Sequence, residues 1–422
     1  MNSLFPEYKI TGVKKFYFLE YFYILLKSVE SGTSNEEIFS FFKSLKNLNQ
    51  LGESKYRKLK LMSEPITERK LARYEYTFNQ VIEEALIYDL IKKSNETYAL
   101  TKSGEDLLDS FKSDKNKFNL KILELMESNL FGFHYLINTC IEANRSKNGL
   151  LIFPIYSPLK LNITKNSINK SSDIVAYINI LVNKLQSDSY EHLERFLDLN
   201  QAKNQLINKL ISNNLINLTS ESFNETKYYA VLSQIRNFWL NYFLNEVYKI
   251  KMSVSYFEIW CYRAMQLGIL NVTEFYYNFE GKIIYPISII SNKVNNKDFI
   301  QVFKYNDGKS LYLHSPEFPN IKEQFTKVVY ESYIDLKSKL KSYFINLYDL
   351  REIVCYKLKI SFDDFAHYFE LLYQLNLEGQ ISLQISLEAD KTPEETKAMY
   401  LKREPIYIDN RLINIIAINL KK

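Results

Sequence analysis

Cysteine is scarce in this sequence, and the few cysteines lie far apart. The chain of 422 residues has three, Cys140, Cys261 and Cys355, each more than ninety residues from the next. No two of them have the Cys-x-x-Cys spacing of a zinc finger, and three isolated cysteines cannot form the dense disulfide framework of a small secreted domain. The sequence therefore predicts a protein of a reducing compartment, and we expect it to be cytoplasmic.

An uninterrupted apolar run long enough to cross a membrane is also missing. The stretch FYFLEYFYILL near the N-terminus is interrupted by Glu20 and bracketed by Lys14, Lys15 and Lys27. A membrane helix needs about 18 or more consecutive apolar residues, and the charged, apolar and small-residue regions of a signal peptide never occur in that order. We predict that this stretch is a buried helix of a soluble protein without a membrane partner.

Glycine and proline are few, with 10 and 9 residues, whereas lysine, asparagine, isoleucine, tyrosine and phenylalanine abound. This bias is typical of an AT-rich genome and says little about activity. The hydrophobic fraction of 46% supplies a sizeable core, and the chain length predicts two to four modules.

Sequence signatures of catalysis are absent or incomplete. The four histidines, His134, His192, His314 and His367, form no His-x-x-x-His pair that would hold a metal on one helix face. No Gly-x-Ser-x-Gly elbow is present, although a catalytic triad whose members meet only in space stays open.

Two short motifs match fragments of known sites. Gly308-Lys309-Ser310 imitates the end of a phosphate loop, but Phe303 occupies the position of its first glycine. Glu280 and Lys282 match half of a metal-dependent nuclease core, but the nearest upstream aspartate is Asp198, and a lone carboxylate holds Mg²⁺ poorly. We therefore predict no catalytic residue, no metal site and no cofactor.

The net charge of +5 is mild, but it is unevenly distributed. Between Ser54 and Arg73 lie seven cationic residues and two glutamates, so this window alone has a net charge of +5. Including Glu53 and Glu75 at its edges lowers the figure to +3 and still leaves a basic cluster. Such a cluster favours a polyanionic partner such as nucleic acid.

The first part of the chain predicts three helices. Apolar residues recur with helical spacing over 14–30, 35–48 and 67–86, and Gly32 and Pro65 separate these runs. Hydroxyl side chains that can cap the second and third helices precede them: Thr33, Ser34 and Thr67.

Two short strands, near 88–92 and 97–101, then predict a hairpin across a polar turn at 93–96. The sequence here reads Leu90-Ile91, the turn, Tyr98-Ala99-Leu100-Thr101, and then Gly-x-x-Leu-Leu at 104–108. This order resembles winged-helix regulators, whose final segment commonly has the same pattern. The resemblance covers residues 1–112 and implies a three-helix core with a DNA-binding wing, at the level of fold.

The same order of elements recurs along the chain. We predict a fold that is mainly α with small β-hairpins, arranged as tandem winged-helix modules. The predicted domains are a winged helix with a basic third helix at 1–112, a helical connector with an extended segment at 113–170, a second winged helix at 171–232, a helical pair with a small β-sheet at 233–318 that is a candidate third winged helix, and a C-terminal winged helix at 319–422.

Three hairpins are predicted in the later modules. The first lies at 217–232. The second is joined at Asn306-Asp307-Gly308, a turn that tolerates positive φ, within a small sheet at 273–315 that has an earlier turn at 279–282. The third flanks a long loop of mixed charge at 388–402, which favours a protein partner or solvent.

In a winged helix, the N-terminal half of the third helix enters the major groove. We apply this geometry to the first module. Arginine can bond guanine and glutamine can bond adenine, while lysines contact phosphates. The predicted DNA-binding residues of this module are Lys55, Arg57, Lys58, Lys60, Arg69, Lys70, Arg73, Thr77 and Gln80, with the wing lysines Lys92 and Lys93.

In the second module, a helix that Asn200 can cap has an outward face rich in amides. Its predicted DNA-binding residues are Asn204, Gln205, Asn208 and Lys209, with Gln201 beside them. Amides can read base edges, and the open alternative is that this copy packs against another protein.

These observations predict a non-enzymatic, double-stranded DNA-binding subunit of a larger nucleic-acid-processing complex, with at least one protein partner. The fold resembles that of subunits in DNA-translocating, chromosome-organising and phage-defence (antiviral) complexes. Three alternatives stay open: a protein–protein scaffold without DNA binding, a divergent metal-dependent nuclease that uses Glu280 and Lys282, and a transcriptional regulator.

Overall fold

The computed structural model describes residues 14–48, 68–94, 97–130, 151–153, 167–187, 198–250, 252–273, 282–286, 297–304, 310–389 and 406–421, except residues 17, 114, 221, 249 and 410. The fold is mostly helical, with a few small antiparallel strand pairs. The chain forms two compact units. We call residues 1–8, 136–258 and 272–285 the middle unit, and residues 9–135, 259–271 and 286–422 the terminal unit.

The described residues at the start of the terminal unit form these helices and a hairpin: α1 (Glu20–Ser31), α2 (Asn35–Leu48), α3 (Glu68–Ile87), β1 (Ile91–Ser94), β2 (Thr97–Leu100), α4 (Lys102–Ser113) and α5 (Lys115–Leu130). The aromatic stretch near the N-terminus forms the buried helix that the sequence predicts, because Phe22, Ile24 and Leu25 of α1 are fully buried. The cap before α2 is also confirmed, since Ser34 Oγ accepts the Glu37 N–H at 3.2 Å.

The β1–β2 hairpin confirms the prediction, but it begins at Ile91 and not at residue 88. Strand pairing runs from Ile91 opposite Leu100 to Ser94 opposite Thr97. The residues before it end α3: Asp89 has φ 51°, and the Leu90 N–H donates to Ala85 O at 2.9 Å. Such a left-handed residue closes a helix by satisfying its last carbonyls, so the strand starts three residues later.

Packing explains the Gly-x-x-Leu-Leu motif at 104–108, which follows the hairpin. Thr101 Oγ1 accepts the Gly104 N–H at 3.1 Å and so caps α4. A Cβ atom at Gly104 would lie 2.0 Å from Leu90 O, which only a glycine avoids. The helix α4 therefore approaches the hairpin backbone more closely than any side chain would allow.

The middle unit contains α6 (Ser171–Ser187), α7 (Leu199–Ser212) and α8 (Tyr228–Tyr242), which continues as a π-helical turn at Phe243–Val247. Strand β3 (Leu151–Phe153) pairs antiparallel with β5 (Lys282–Pro286), Leu151 lying opposite Ile284. The extended segment predicted within 113–170 thus supplies one strand.

The hairpin predicted at 217–232 is wrong. Asn224 Oδ1 accepts the Thr226 N–H at 3.0 Å and starts a 3₁₀ turn at Glu225–Lys227, which leads directly into α8. The buried residues of α8 are Tyr228, Val231, Ile235, Trp239 and Leu240. Their spacing of three and four residues continues well beyond the predicted strand, so the helical period prevails over the strand propensity of the Tyr-Tyr and Val-Leu pairs.

The next elements along the chain are helix α9 (Val254–Gln266) and the strands β4 (Leu270–Thr273), β6 (Phe299–Lys304) and β7 (Ser310–His314). β6 and β7 pair antiparallel, as predicted, with a bulge between Gln301 and Phe303. Their connecting turn at 305–309 lies outside the described residues, as does most of the turn predicted at 279–282. One small sheet over 273–315 is not what forms, because β5 pairs with β4 and β3 in one sheet, whereas β6 pairs with β7 in another.

The C-terminal part consists of α10 (Phe318–Leu340), β8 (Ile345–Asn346), α11 (Leu347–Leu358), α12 (Phe362–Leu377), β9 (Leu383–Glu388), β10 (Ile406–Ile408), β11 (Arg411–Ile413) and β12 (Ile415–Leu420). The three helices and the strands after them agree with the predicted order of elements, and the assignment of this region to a winged helix stays a prediction. β12 lies between β8 and β9 in one sheet, and β10 pairs with β11. Most of the predicted charged loop lies outside the described residues.

Within the described stretches, none of the helices combines the length and apolar character needed to span a membrane.

Candidate nucleic-acid interface

Helix α3 carries the basic residues predicted to meet DNA. Arg73 is exposed. Thr77 is half-buried and its Oγ1 donates to Arg73 O at 2.9 Å, while Gln80 Oε1 accepts the Lys15 N–H at 3.1 Å. Of these three side chains, Arg73 alone is presented openly to solvent. The backbone of Arg69 and Lys70 lies in the first turn of α3.

Several of the predicted contacts lie outside the described part of the chain. They are the side chains of Arg69 and Lys70, and the whole of Lys55, Arg57, Lys58 and Lys60.

The described solvent face of α3 is less cationic than the sequence analysis predicts. Its exposed residues include Glu68, Glu75 and Glu83 together with Tyr76. Residues three, four, seven and eight positions apart share one helix face, so Glu68, Glu75 and Glu83 lie together on one face of α3. Arg73 is five, two and ten positions from them and lies on a different face. Carboxylates repel phosphate, so the glutamate face of α3 does not suit contact with DNA.

The hairpin places its two predicted lysines as expected for a wing. In β1, Ile91 is buried, whereas Lys92 and Lys93 are exposed. Their ammonium groups are accessible to a polyanion.

The C-terminal half of α3 packs inside the protein through a buried ion pair that the sequence analysis missed. The Arg263 guanidinium of α9 bonds both carboxylate oxygens of Glu84, at 2.5 and 3.0 Å, and both side chains are fully buried. Arg263 also donates to Lys14 O and Phe16 O at 3.1 Å each and covers the Phe16 ring. Tyr88 Oη donates to Glu84 at 2.8 Å. Burial raises the pKa of the Tyr88 hydroxyl well above its ordinary value, which keeps this donor protonated.

The signal for this pair was present in the sequence. Arg263 interrupts the otherwise apolar face of YFEIWCYRAMQ, and a charge in such a position needs a buried partner. The partner could not be named, because Glu84 lies 179 residues away.

Helix α7 presents a different surface. Its apolar side, Leu199, Ala202, Leu206 and Leu210, is buried. Its opposite side exposes Gln201, Asn204, Gln205, Asn208 and Lys209. We call the four amides of this set the amide stripe. Asp198, and not Asn200, caps the helix, its carboxylate accepting the Gln201 N–H at 2.8 Å.

The charges around α7 are mixed. The described parts of α6, α7, α8 and their connections carry six cationic residues, Lys170, Lys184, Lys203, Lys209, Lys227 and Arg236. They carry the carboxylates Asp173, Asp198 and Glu225, each at the start of a helix, and Glu246 in the π-helical turn after α8. Hydrogen bonds from the Lys170 and Asn169 backbone lower the pKa of Asp173. The sequence between these helices adds Arg195 and four carboxylates, Asp188, Glu191, Glu194 and Glu221. Neither α7 nor α8 contains a carboxylate within its own bounds.

The described residues contain no group of three or more His, Cys, Asp or Glu side chains placed to hold a metal ion. Cys261 and Cys355 are buried. Burial raises the pKa of the Cys355 thiol well above its ordinary value, which suits a structural residue and not a nucleophile. His314 Nδ1 lies 2.9 Å from Lys359 O, and His367 is exposed. Glu280 and the side chain of Lys282 lie outside the described residues.

In the C-terminal region, the N-terminal end of α12 is less accessible than the exposed face of α7. Asn271 is fully buried and bridges the turn between α11 and α12: its Nδ2 donates to Ile360 O at 3.0 Å, and its Oδ1 accepts the Phe362 N–H at 3.3 Å. Asp364, in the first turn of α12, accepts the Ser361 N–H in a capping box. The N-terminal end of α12 is therefore occupied by the chain itself.

Comparisons of the chain with protein-family models, with curated proteins and with solved structures find no match.

Proposed function

We propose that this protein is a non-enzymatic, double-stranded DNA-binding subunit of a larger nucleic-acid-processing complex. The observation that carries the proposal is the solvent face of α7, where the amide stripe and Lys209 lie together on a helix without a carboxylate. An α-helix fits the major groove, where amides can pair with base edges and lysines with phosphates.

The proposal includes tandem winged-helix modules. Three features support it: the order of helices and hairpin in α1 to β2, the order helix, strand, helix, helix and then four strands in α10 to β12, and the central place of β12 between β8 and β9. In a winged helix the third helix reads DNA and the hairpin flanks it. The assignment is one of fold, and the functional argument comes from the surfaces of each module.

In this proposal each module has a different role. The α6–α8 region makes the main contact, and the N-terminal module adds backbone contacts through Arg69, Lys70, Arg73 and the wing lysines Lys92 and Lys93. The C-terminal module docks a protein partner, because the start of α12 is closed by Asn271 and carries acidic residues. Such a division suits a subunit of a chromosome-organising or phage-defence assembly.

The test is duplex binding measured by fluorescence anisotropy over a salt titration. We expect the affinity of the wild type to fall steeply with salt, since each neutralised phosphate contributes about 0.9 to the slope of log K against log salt. The variant N204A/N208A/K209A is expected to lose at least about 10-fold in affinity, because it removes two base-reading amides and a phosphate contact.

The matched control is N183A/N237A/K327A. It removes the same residue types from exposed positions of α6, α8 and α10, and we expect its affinity to stay within about two-fold of the wild type. Equal losses in both triple variants would overturn the assignment to α7. A wild type without salt-dependent duplex binding would overturn the function and favour the scaffold alternative.

A further inference from the structure

The amide stripe has the spacing of a single reading face. Gln201, Asn204, Gln205 and Asn208 follow one another at three, one and three residues, so all four project from one side of α7. The stripe spans eight residues, and the seven steps from Gln201 to Asn208 extend about 10 Å along the helix axis, at about 1.5 Å per residue. This length matches about three base pairs in the major groove at about 3.4 Å per pair.

The carboxamides of the stripe have no hydrogen-bond partner in the part of the chain that the structure describes. Within the described residues, none of these four side chains makes a hydrogen bond, whereas Asn217, Asn224, Asn271 and Asn376 each bind backbone groups. An amide-rich composition alone therefore does not account for the stripe. Its amides are exposed and stay available to a ligand.

The chemistry of the stripe selects one base. A carboxamide offers one acceptor and one donor side by side, which pairs with the N6 amino group and N7 of adenine. Guanine presents two acceptors at its major-groove edge and is matched by arginine or lysine. The stripe carries no cation, and Lys209 lies at its margin.

We propose that α7 reads adenine in the major groove of duplex DNA, with a preference for two or three consecutive A·T pairs. The proposal rests on the DNA-binding function proposed above and names the sequence class that this face recognises. The readout is direct and depends on N7, so it differs from recognition of the narrow minor groove of A·T tracts.

The experiment compares three duplexes of equal length and charge in anisotropy titrations at one salt concentration. The first has an A·T-rich core, the second a G·C-rich core, and the third is the A·T duplex with 7-deazaadenine, which lacks the N7 acceptor and keeps the base pair. We expect the wild type to bind the A·T duplex about 10-fold more tightly than the other two. The variant N204A/N208A is expected to bind all three equally.

The control variant N183A/N237A removes two exposed asparagines from α6 and α8, and it should keep the preference of the wild type. Equal wild-type affinity for A·T and G·C duplexes, with normal salt dependence, would overturn adenine readout and leave the DNA-binding function standing. A preference that survives 7-deazaadenine would also overturn it, in favour of shape readout. An absence of binding to any duplex would overturn both proposals.

Discussion

Arg263 and Glu84 form a fully buried, two-pronged ion pair that joins α9 to α3 within the terminal unit. Every oxygen of the carboxylate is engaged, because Glu84 also accepts hydrogen bonds from Tyr88 Oη at 2.8 Å and from the Lys14 N–H at 3.0 Å. A charge desolvated to this degree is tolerated only while its partner is present.

Replacing Glu84 with Ala is therefore expected to lower the free energy of unfolding by about 3–5 kcal/mol, since it leaves the guanidinium buried without a counter-charge. Urea denaturation followed by circular dichroism measures this loss. Lys112→Ala is the control, because its ion pairs with Asp109 and Glu30 are exposed and are worth less than about 1 kcal/mol. The E84L/R263L double variant should be more stable than Glu84→Ala. A cost for Glu84→Ala no larger than that of Lys112→Ala would contradict the prediction.

Gly104→Ala is expected to destabilise the N-terminal module by at least about 2 kcal/mol, because its Cβ would overlap Leu90 O. The shift is measurable as a lower Tm with faster amide exchange in the β1–β2 hairpin. Ser103→Ala, at the exposed neighbouring position of α4, should change the free energy of unfolding by less than about 0.5 kcal/mol. Equal Tm values for the two variants would show that the close approach is not required.

Lys359 makes the stability of the protein depend on pH. Burial lowers its pKa to about 8, and an unfolded lysine has a pKa of about 10.4. Between these values the unfolded chain binds more protons than the folded chain, so the contribution of Lys359 to stability rises with pH from about 8 to about 10. Below pH 8 the full cost of burying the ammonium is present.

Lys359→Met is therefore expected to raise Tm at pH 7, with a difference from the wild type that shrinks as the pH approaches 10. Thermal unfolding across this range measures it, and Lys327→Met, at an exposed position on α10, should show no such trend. A Lys359→Met variant less stable than the wild type by the same amount at every pH would refute the argument.

The N-terminal module is tested by the R69A/K70A/R73A variant in a gel shift over a range of salt concentrations. We expect weaker duplex binding and a shallower salt dependence, because up to three phosphate contacts are lost. E68Q/E75Q should act in the opposite direction, since both carboxylates lie on the exposed face of α3. Unchanged binding in both variants would remove α3 from the DNA-binding surface and leave α7 and the wing lysines Lys92 and Lys93 as its candidates.

Local sequence patterns predicted much of the fold. The β1–β2 hairpin, the cap at Ser34, the β6–β7 pair and the helices α10 to α12 follow from turn chemistry and from apolar periodicity within short windows. The prediction failed at 217–232 because Tyr228, Tyr229 and Val231 suit a strand and a helix equally well over five residues. The deciding positions, Ile235 and Trp239, lie beyond that window.

Contacts between residues far apart in the sequence could not be predicted from local patterns. Pairing of β3 with β5 joins segments more than 120 residues apart, and no local pattern specifies the partner of a three-residue strand. For the candidate site, the exposed amides of α7 could be predicted because one helix face determines them. The glutamates of α3 were counted from the sequence, but which of them are exposed, namely Glu68, Glu75 and Glu83, became clear only from the burial of the helix.

The segment 259–271 belongs to the terminal unit although the chain on both sides of it belongs to the middle unit. Arg263, near the start of this segment, bonds Glu84 of α3. Asn271, at its end, accepts the Phe362 N–H in the turn before α12. A gene fragment that encodes either end of the protein alone would omit groups that its interior needs. An evolutionary exchange of either end of the protein would therefore also have to include segment 259–271. The two ends are thus expected to be inherited together.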